Sequence, residues 1–225
     1  MTASGAGQVD WHLNFQDDEY LKLSLDRLRD DHPPLDWCLQ FAEMIGSRPI
    51  QVGQPWELND VGCNVGHFCK ALSRLATPPV YRGYDISETY LQIARKRYPQ
   101  HSFHFLDIAA DAPEQDADVS IVSATLEHIE AWESALKHIL QSSRQAVVLR
   151  SFFGEVELSD HYKKADAGLP YLIRQFTFRQ MAETALSLNF KTRFLRDRAT
   201  DSIAQYLGCG ITRTQYVAYM TKSGA

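Results

Sequence analysis

The chain has 225 residues, of which 44% are hydrophobic and 23% are charged, and its formal net charge is -5 at pH 7. These values are typical of one folded, soluble α/β domain with a small accessory segment, and they exclude a disordered or fibrous protein. Because binding to a nucleic-acid backbone requires clustered Lys and Arg, the acidic balance argues against DNA or large RNA as a substrate.

The N-terminal part of the sequence predicts a mobile tail and a helical cap. Residues 1–10 are small and polar, and two segments with apolar residues at helical spacing follow them, the second after a pair of prolines. The apolar positions are Leu21, Leu25 and Leu28 in the first segment and Leu35, Leu39 and Ile45 in the second. We assign residues 1–50 to the tail and cap, and residues 51–225 to the main domain.

A regular alternation of strands and helices comes next. The predicted strands span residues 56–61, 80–84, 102–106, 119–123 and 146–152, and the predicted helices span residues 68–75, 88–98 and 132–140. Such alternation predicts a parallel, doubly wound sheet with helices on both faces.

The last third of the chain departs from this alternation. Residues 154–175 are mixed and polar and predict a loop or insertion. Thr177 predicts the N-cap of a helix that runs to Leu188. Two strands follow, over residues 190–196 and 212–220, and the short connection between them leaves no room for a crossover helix. We therefore expect these two strands to be antiparallel.

The cysteines and the N-terminus do not indicate an exported protein. The four cysteines form no C-x-x-C pair, and the first ten residues lack the basic start and apolar run of a signal peptide. No apolar stretch approaches the ~18 to 20 residues that span a bilayer. We therefore expect free thiols and a cytoplasmic protein without a membrane association.

The segment between the first strand and its helix carries the strongest functional signal. Gly62 and Gly66 allow a ligand to approach the backbone closely, and Asp85 ends the second strand, where a carboxylate can accept hydrogen bonds from both hydroxyls of a ribose. A nicotinamide dinucleotide uses the same geometry, but the G-x-G-x-x-G fingerprint is absent and Asp60 would repel a pyrophosphate. S-adenosylmethionine, which has a cationic amino group and a ribose but no phosphate, fits both acids.

Four motifs in chain order strengthen this interpretation. They are Asp60-x-Gly62-x-Asn64-x-Gly66, then Gly83-Tyr84-Asp85-Ile86-Ser87, then Leu106-Asp107-Ile108, then Asp118-Val119 with Leu126-Glu127-His128-Ile129. In this order and spacing, the sequence over about residues 56–153 resembles the class I (Rossmann-like) S-adenosylmethionine-dependent methyltransferases. The resemblance implies an α/β fold with a doubly wound, mostly parallel seven-stranded sheet whose last strand is antiparallel.

The resemblance also implies a set of cofactor-binding residues. They are Asp60, Gly62, Cys63, Asn64, Gly66, Asp85, Ile86, Asp107, Ile108 and Ser123. The glycine-rich loop would line the methionyl part, Asp85 would hold the ribose, and Ser123 would face the sulfonium. Asp107 would accept from the adenine amino group between two isoleucines, although an ordinary turn acid and plain core packing are the alternatives for these three residues.

Methyl transfer is an in-line displacement, in which the protein chiefly aligns acceptor and donor. A hydroxyl acceptor also needs a base, and His128, at the carboxyl edge of the sheet, is the candidate; a histidine bonded only to backbone is the alternative. Glu127-His128 also resembles the end of an E-x-x-E-H arrangement that binds a divalent cation, but the first position is Ala124. We assign no metal ligand, since Asp160 and His161 could complete a site only by folding inward.

Acceptor contacts are expected from the cap, the 154–175 segment and the last strands. The candidate residues are Trp11, His12, Tyr20, Arg150, Tyr162 and Arg174. We expect a small-molecule acceptor and favour O-methylation in saccharide or secondary-metabolite biosynthesis. The alternatives are N-methylation of a small amine, which would not need His128, and a non-catalytic cofactor-binding partner subunit. The sequence does not fix the oligomeric state.

Overall fold

The computed structural model describes residues 18–47, 55–162 and 171–224, so the predicted N-terminal tail lies outside the described residues. The strands are β1 (Glu57–Val61), β2 (Val80–Asp85), β3 (Ser102–Phe105), β4 (Ala117–Ser123), β5 (Ser143–Gly154), β6 (Leu158–Tyr162), β7 (Tyr171–Thr177), β8 (Phe190–Arg196), β9 (Gln205–Gly208), β10 (Ile211–Arg213) and β11 (Gln215–Lys222). The α-helices are α1 (Asp18–Leu28), α2 (Asp36–Gly46), α3 (Glu88–Arg97), α4 (Trp132–Gln141) and α5 (Phe178–Ser187). Two 3₁₀ helices span His67–Arg74 and Leu126–His128.

The central sheet has the topology that the sequence predicts. Its main path runs in the order β3-β2-β1-β4-β5-β11-β8. The neighbours from β3 to β5 are parallel, whereas β11 is antiparallel to both β5 and β8. The prediction of a doubly wound, mostly parallel sheet with an antiparallel last strand is therefore confirmed.

Helices cover both faces of the sheet. On one face α2, the longer 3₁₀ helix and α3 bury Phe41, Phe68 and Leu91. On the other face α4 and α5 bury Leu136 and Met181. This three-layer arrangement buries successive residues of the central strands β1, β2 and β4, as expected for a parallel sheet that is covered on both sides.

The carboxyl ends of β1, β2 and β4 lie side by side. In the register of the sheet Asp60 is level with Gly83 of β2 and with Ile121 of β4. The chain order reverses direction at this point, since β1 is flanked by β2 on one side and by β4 on the other. Open α/β sheets bind ligands at such a reversal, outside the carboxyl ends of the strands.

The helical cap is tied to the domain at both of its helices. Lys70, in the longer 3₁₀ helix, donates from Nζ to the carbonyls of Arg27 (2.8 Å), Arg29 and His32 (3.0 Å), in the last turn of α1 and just after it. In α2, Gln40 donates from Nε2 to the carbonyl of Arg196 (2.6 Å) and accepts from the backbone N–H of Arg198 (2.9 Å). Arg198 also pairs with Glu43. The cap is therefore held over the carboxyl edge of the sheet.

The 154–175 segment corrects one prediction. Its described parts form the antiparallel hairpin of β6 and β7 rather than a loop, and a second hairpin, β9 with β10, lies between the last two predicted strands. Tyr162 packs on Tyr171 within the first hairpin, and Asp160 pairs with Arg213 of the second. Because these contacts join residues far apart in sequence, local patterning does not reveal them.

Smaller differences concern the helices. The first helix of the main domain is 3₁₀ rather than α-helical, and Leu25 of α1 is 42% exposed, so it does not join the buried face of that helix. The N-cap prediction for α5 is confirmed, because Thr177 accepts from the backbone N–H of Gln180 and forms a capping box with it. Among the described helices, none is long and apolar enough to cross a membrane.

Candidate active site

A cavity of about 360 Å³ lies between the cap and the carboxyl ends of the strands. The predicted site residues that line it are Asp60, Gly62, Cys63, Asn64, Asp85, Ile86, Asp107, Ile108, Ser123 and His128. The fold thus brings together residues from four segments that are far apart in the sequence. Gly66 is the predicted site residue that is not part of the lining.

Gly62 allows the loop after β1 to pass close to its neighbours. Its φ is +75°, and a Cβ at this position would lie 2.1 Å from the Oγ1 of Thr125. The backbone N–H groups of Gly62 and Cys63 both donate to the carbonyl of Tyr84, at 2.8 and 3.0 Å. A side chain at Gly62 would therefore collide with Thr125 and would displace the loop from the position it takes beside the cavity.

The rest of the loop is held in shape by Asn64 and Gly66. Asn64 has a φ of 52°, and its Oδ1 accepts from the backbone N–H of Val65 at 2.7 Å. Gly66 has a φ of +82° and precedes the 3₁₀ helix, with Tyr98 and Phe103 packed where a Cβ would be. Gly66 therefore shapes the turn from behind and does not face the cavity.

Asp85 braces the same loop from the end of β2. Its Oδ2 accepts from the backbone N–H of Asn64 at 2.8 Å, and its Oδ1 accepts from that of Ser87 at 2.9 Å. Burial raises the pKa of Asp85, and these backbone hydrogen bonds oppose the rise. A carboxylate oxygen has more than one acceptor site, so Asp85 can hold the loop and still accept from ligand hydroxyls.

Asp60 lies deeper than Asp85, with 3% of its surface exposed. The hydroxyl of Tyr81 donates to its Oδ2 at 2.6 Å. Burial raises the pKa of Asp60 to about 7, against the opposing effect of the Tyr81 hydrogen bond. A cation bound beside Asp60 would favour the ionised form, as the predicted contact with an ammonium group requires.

The segment after β3 forms another part of the wall. The Oδ1 of Asp107 accepts from the backbone N–H of Ala109 at 3.0 Å, which is the contact of an ordinary turn acid. The carbonyl of Ile108 is bonded to the Nδ1 of His138 in α4 at 2.8 Å. His138, which the sequence gave no reason to select, therefore supports this wall, and adenine recognition by Asp107 stays a prediction.

His128 lines the cavity at the end of the short 3₁₀ helix after β4. Its Nδ1 lies 2.7 Å from the carbonyl oxygen of Leu172 in β7, and its ring meets Tyr171 edge-on at 5.5 Å. Because a carbonyl only accepts, Nδ1 carries the proton, and the neutral ring has its lone pair on Nε2. His128 can therefore bond to the backbone through Nδ1 and still act as a base through Nε2.

The acids considered as metal ligands with His128 have other partners. Glu127 is buried and accepts from the hydroxyl of Ser151 at 2.8 Å, and Asp160 pairs with Arg213 on the exposed side of β6. Ala124, at the first position of the E-x-x-E-H comparison, has a φ of 53°. Over residues 18–47, 55–162 and 171–224, no group of three or more His, Cys, Asp or Glu is placed to hold a metal ion.

The predicted acceptor residues separate into three groups. Tyr20 and Arg150 line the cavity, whereas Tyr162 does not, and Arg174 pairs with Glu157 on another surface. Trp11 and His12 lie outside the described residues. The guanidinium of Arg150 is buried. Its Nε donates to Oδ1 of Asp197 at 2.8 Å, and the guanidinium also donates to Gln215. Arg150 is therefore already neutralised by the protein.

Several residues of the cavity were not predicted. Arg27 and Trp37 come from the cap, His67 comes from the start of the first 3₁₀ helix, and Thr125 follows β4. The signal for His67 was its position directly after the last glycine of the loop. Arg27 and Trp37 carry no local signal, because only the fold of the cap over the sheet brings them to the site.

Comparisons with known proteins agree with this geometry. Residues 59–146 match a protein family described as a methyltransferase domain. Over 131 residues the chain is 29% identical to the trans-aconitate 2-methyltransferase of Rhodopseudomonas palustris (strain BisB18). That match covers 58% of this chain but 44% of the relative, so it spans less than half the length of that protein.

Two solved structures show the same fold. The magnesium protoporphyrin IX methyltransferase ChlM of Synechocystis PCC 6803, with bound SAM, aligns with a TM-score of 0.61 at 14% identity and covers 98% of this chain and 100% of its own. CalS10, an amino pentose methyltransferase from Micromonospora echinaspora, aligns with a TM-score of 0.61 at 15% identity. The alignment covers 90% of this chain and 97% of CalS10. These structural matches confirm the predicted fold, and the family match over residues 59–146 agrees with the resemblance found in the sequence.

Proposed function

We propose that this chain is a class I methyltransferase, which transfers a methyl group from S-adenosylmethionine to an oxygen of a small-molecule acceptor, with His128 as the general base. When bound, the cofactor supplies a methyl group already activated by its sulfonium. The chain itself has to hold the cofactor, align the acceptor and remove a proton from the acceptor hydroxyl.

The residues of the cavity suit the cofactor. Gly62 lines the cavity in a backbone conformation that favours glycine, and Asp85, at the end of β2, has acceptor capacity for a ribose. Asp60, behind the loop, is a buried acid whose ionised form a cationic amino group would stabilise. Asp107 and the two isoleucines, Ile86 and Ile108, complete the lining at the proposed adenine end.

The observation that carries O-methylation is the tautomer of His128. The carbonyl of Leu172 fixes the proton on Nδ1, so that Nε2 is the basic nitrogen of a residue that lines the cavity. A hydroxyl acceptor requires such a base, whereas a neutral amine does not. In this proposal, the β6–β7 hairpin therefore orients the imidazole of the base through the carbonyl of Leu172.

The size of the site supports a small acceptor. A cavity of about 360 Å³ lies at the lower end of the range for small-molecule sites, about 300 to 1,000 Å³. The relatives named above methylate trans-aconitate, a porphyrin and an amino pentose; we extend to this chain a preference for a saccharide or secondary-metabolite acceptor.

Calorimetric titration with S-adenosylhomocysteine tests the cofactor part of this proposal. We expect micromolar binding by the wild-type protein and a loss of about tenfold or more in Asp85→Asn, since each hydrogen bond to a charged group contributes about 1.5 to 3 kcal/mol. Thermal unfolding of the variant controls for damage to the loop that Asp85 braces. Well-folded wild-type protein that fails to bind would contradict the proposal.

Turnover of an acceptor panel, followed by mass spectrometry, tests the chemistry. For an O-methylated acceptor, we expect His128→Gln to lower kcat by about 10² to 10⁴ and to leave the affinity for S-adenosylhomocysteine unchanged. Full activity of the variant on an amine would instead identify an N-methyltransferase. Cofactor binding without turnover of any acceptor would favour a non-catalytic subunit.

A further inference from the structure

The cap side of the cavity contains two nitrogen-bearing side chains that the proposed function does not use. Arg27, near the end of α1, and His67, at the start of the first 3₁₀ helix, both line the cavity. Burial raises the pKa of Tyr20 and lowers that of His67, and the charge of Arg27 lowers both. Arg27, Tyr20 and His67 all line the same cavity.

Arg27 differs from the other arginine of the cavity. Arg150 is bound to Asp197 and Gln215, whereas no carboxylate of the described residues lies within ion-pair distance of Arg27. Its backbone is nevertheless fixed, because the carbonyl of Arg27 accepts from the Nζ of Lys70 at 2.8 Å. The cap thus holds a cation with spare donors at the wall of the cavity.

His67 is 9% exposed, and within the described residues its Nε2 is buried without a hydrogen-bond partner. Burial lowers its pKa to about 3, so the ring is neutral and offers a single N–H. A buried polar group without a partner costs free energy, and a ligand that accepts from it would remove that cost.

We propose that Arg27 and His67 form a carboxylate-binding subsite on the cap side of the cavity. A carboxylate has two oxygens, of which one or both can accept from the guanidinium while one accepts from the imidazole N–H. A doubly charged phosphate fits less well, because the cavity also contains several acids, and Arg150 is already paired with Asp197, which leaves Arg27 as the cation of the subsite. The acids of the lining are Asp36, Asp60, Asp85 and Asp107.

This inference rests on the proposed function, which offers two sources for the carboxylate. One is the α-carboxylate of the methionyl part of the cofactor, since His67 directly follows the loop from Asp60 to Gly66. The other is a carboxylate on the acceptor. In both cases the cap takes part in recognising the ligand through Arg27, whose backbone carbonyl is held by Lys70.

Calorimetry with two nucleosides tests the subsite. S-adenosylhomocysteine and its decarboxylated form share the adenosyl, thioether and amino groups and differ in the carboxylate. Each is titrated into the wild-type protein, Arg27→Met, His67→Leu and the control Arg74→Met, which removes the same charge from an exposed position outside the cavity. Thermal unfolding verifies that each variant is folded.

If the cofactor supplies the carboxylate, Arg27→Met weakens S-adenosylhomocysteine by about 10- to 100-fold and leaves the decarboxylated form within a few-fold, as expected for a lost charged hydrogen bond. His67→Leu shows the same selectivity with a smaller loss, and Arg74→Met shows none. If the acceptor supplies the carboxylate, Arg27→Met binds both nucleosides as the wild-type protein does. It then weakens the binding of trans-aconitate, which is titrated into protein saturated with S-adenosylhomocysteine.

Two results would overturn the subsite. In one, Arg27→Met behaves like Arg74→Met with both nucleosides and with trans-aconitate. In the other, it loses both nucleosides equally, which means that Arg27 only supports the cap. Failure of the wild-type protein to bind either nucleoside would be a different result, because it would overturn the proposed function and this inference with it.

Discussion

Replacing Asp60 by Asn isolates the charge of the most deeply buried acid of the site. The amide keeps an oxygen that can accept the hydrogen bond from Tyr81, and it has nearly the same volume as the carboxyl group. What the variant loses is the ability to titrate. We therefore expect Asp60→Asn to change how the free energy of unfolding depends on pH.

The direction and size follow from the pKa of Asp60, which is 3.8 for the unperturbed group and about 7 in the folded protein. Between these values the folded protein retains a proton that the unfolded chain has released. The free energy of unfolding therefore falls as the pH rises, by about 1.4 kcal/mol per pH unit, and the fall ends above the folded pKa. From about pH 5 to about pH 7, this carboxyl lowers the free energy of unfolding by about 2 to 3 kcal/mol.

Urea unfolding of the cofactor-free protein, followed by circular dichroism at about pH 5 and about pH 7.5, measures this effect. The relevant quantity is the difference between the wild-type and Asp60→Asn pH dependences, because contributions from other titrating groups cancel. We expect the wild-type protein to lose about 2 to 3 kcal/mol more than the variant over this interval. Identical pH dependences would refute the argument that Asp60 is protonated in the folded, cofactor-free protein.

Three further predictions concern the loop, the cap and the buried ion pair. Gly62→Ala adds a methyl group that clashes with Thr125 in the loop after β4, so we expect the free energy of unfolding to fall by about 1 to 3 kcal/mol and S-adenosylhomocysteine binding to weaken. The control is Gly210→Ala, where φ is similar but the space is open; it should lose less than about 1 kcal/mol of stability and bind normally. Lys70→Met leaves three carbonyls without their donor, and we expect a lower Tm by differential scanning fluorimetry together with weaker cofactor binding; an unchanged Tm would contradict the anchoring role. Arg150→Met leaves the buried carboxylate of Asp197 uncompensated, and urea unfolding should show a loss of about 3 to 5 kcal/mol, largely restored when Asp197→Asn is added.

The parallel half of the fold could be predicted from the sequence because its signals are local. Strands β4 and β5 contain short apolar runs, and helices such as α3 begin at a capping residue, Ser87, that is visible in the sequence. The order of the motifs then fixed which strand ends meet. The cofactor loop and Asp85 follow from the same signals, which is why the predicted residues of the loop, with the exception of Gly66, line the cavity.

The two hairpins could not be predicted, because their stability is not local. The residues of β6 are exposed or half-buried and do not alternate, and the strand pairs with β7 across a segment without a turn signature that fixes the register. Its side chains are held by partners such as Arg213, which is 53 residues from Asp160. Polar composition therefore predicted a loop where tertiary contacts make a strand.

The same distinction applies to the site. Loop residues were found because chemistry and sequence order coincide there, whereas Arg27 depends on how the cap is anchored. The tautomer of His128 depends on a carbonyl 44 residues away in β7, in the segment that was predicted to be a loop. Sequence patterns indicated which side chains have useful chemistry, and the tertiary fold decided which of them face the cavity.

The position of β11 has a consequence for how the protein is made. This strand is the last described strand in the chain, yet it lies inside the sheet between β5 and β8. During synthesis, β5 and β8 leave the ribosome first, and each has an unpaired edge until residues 215–222 emerge. Unpaired edges invite association with other chains, so the nascent protein passes through a stage that is vulnerable to aggregation.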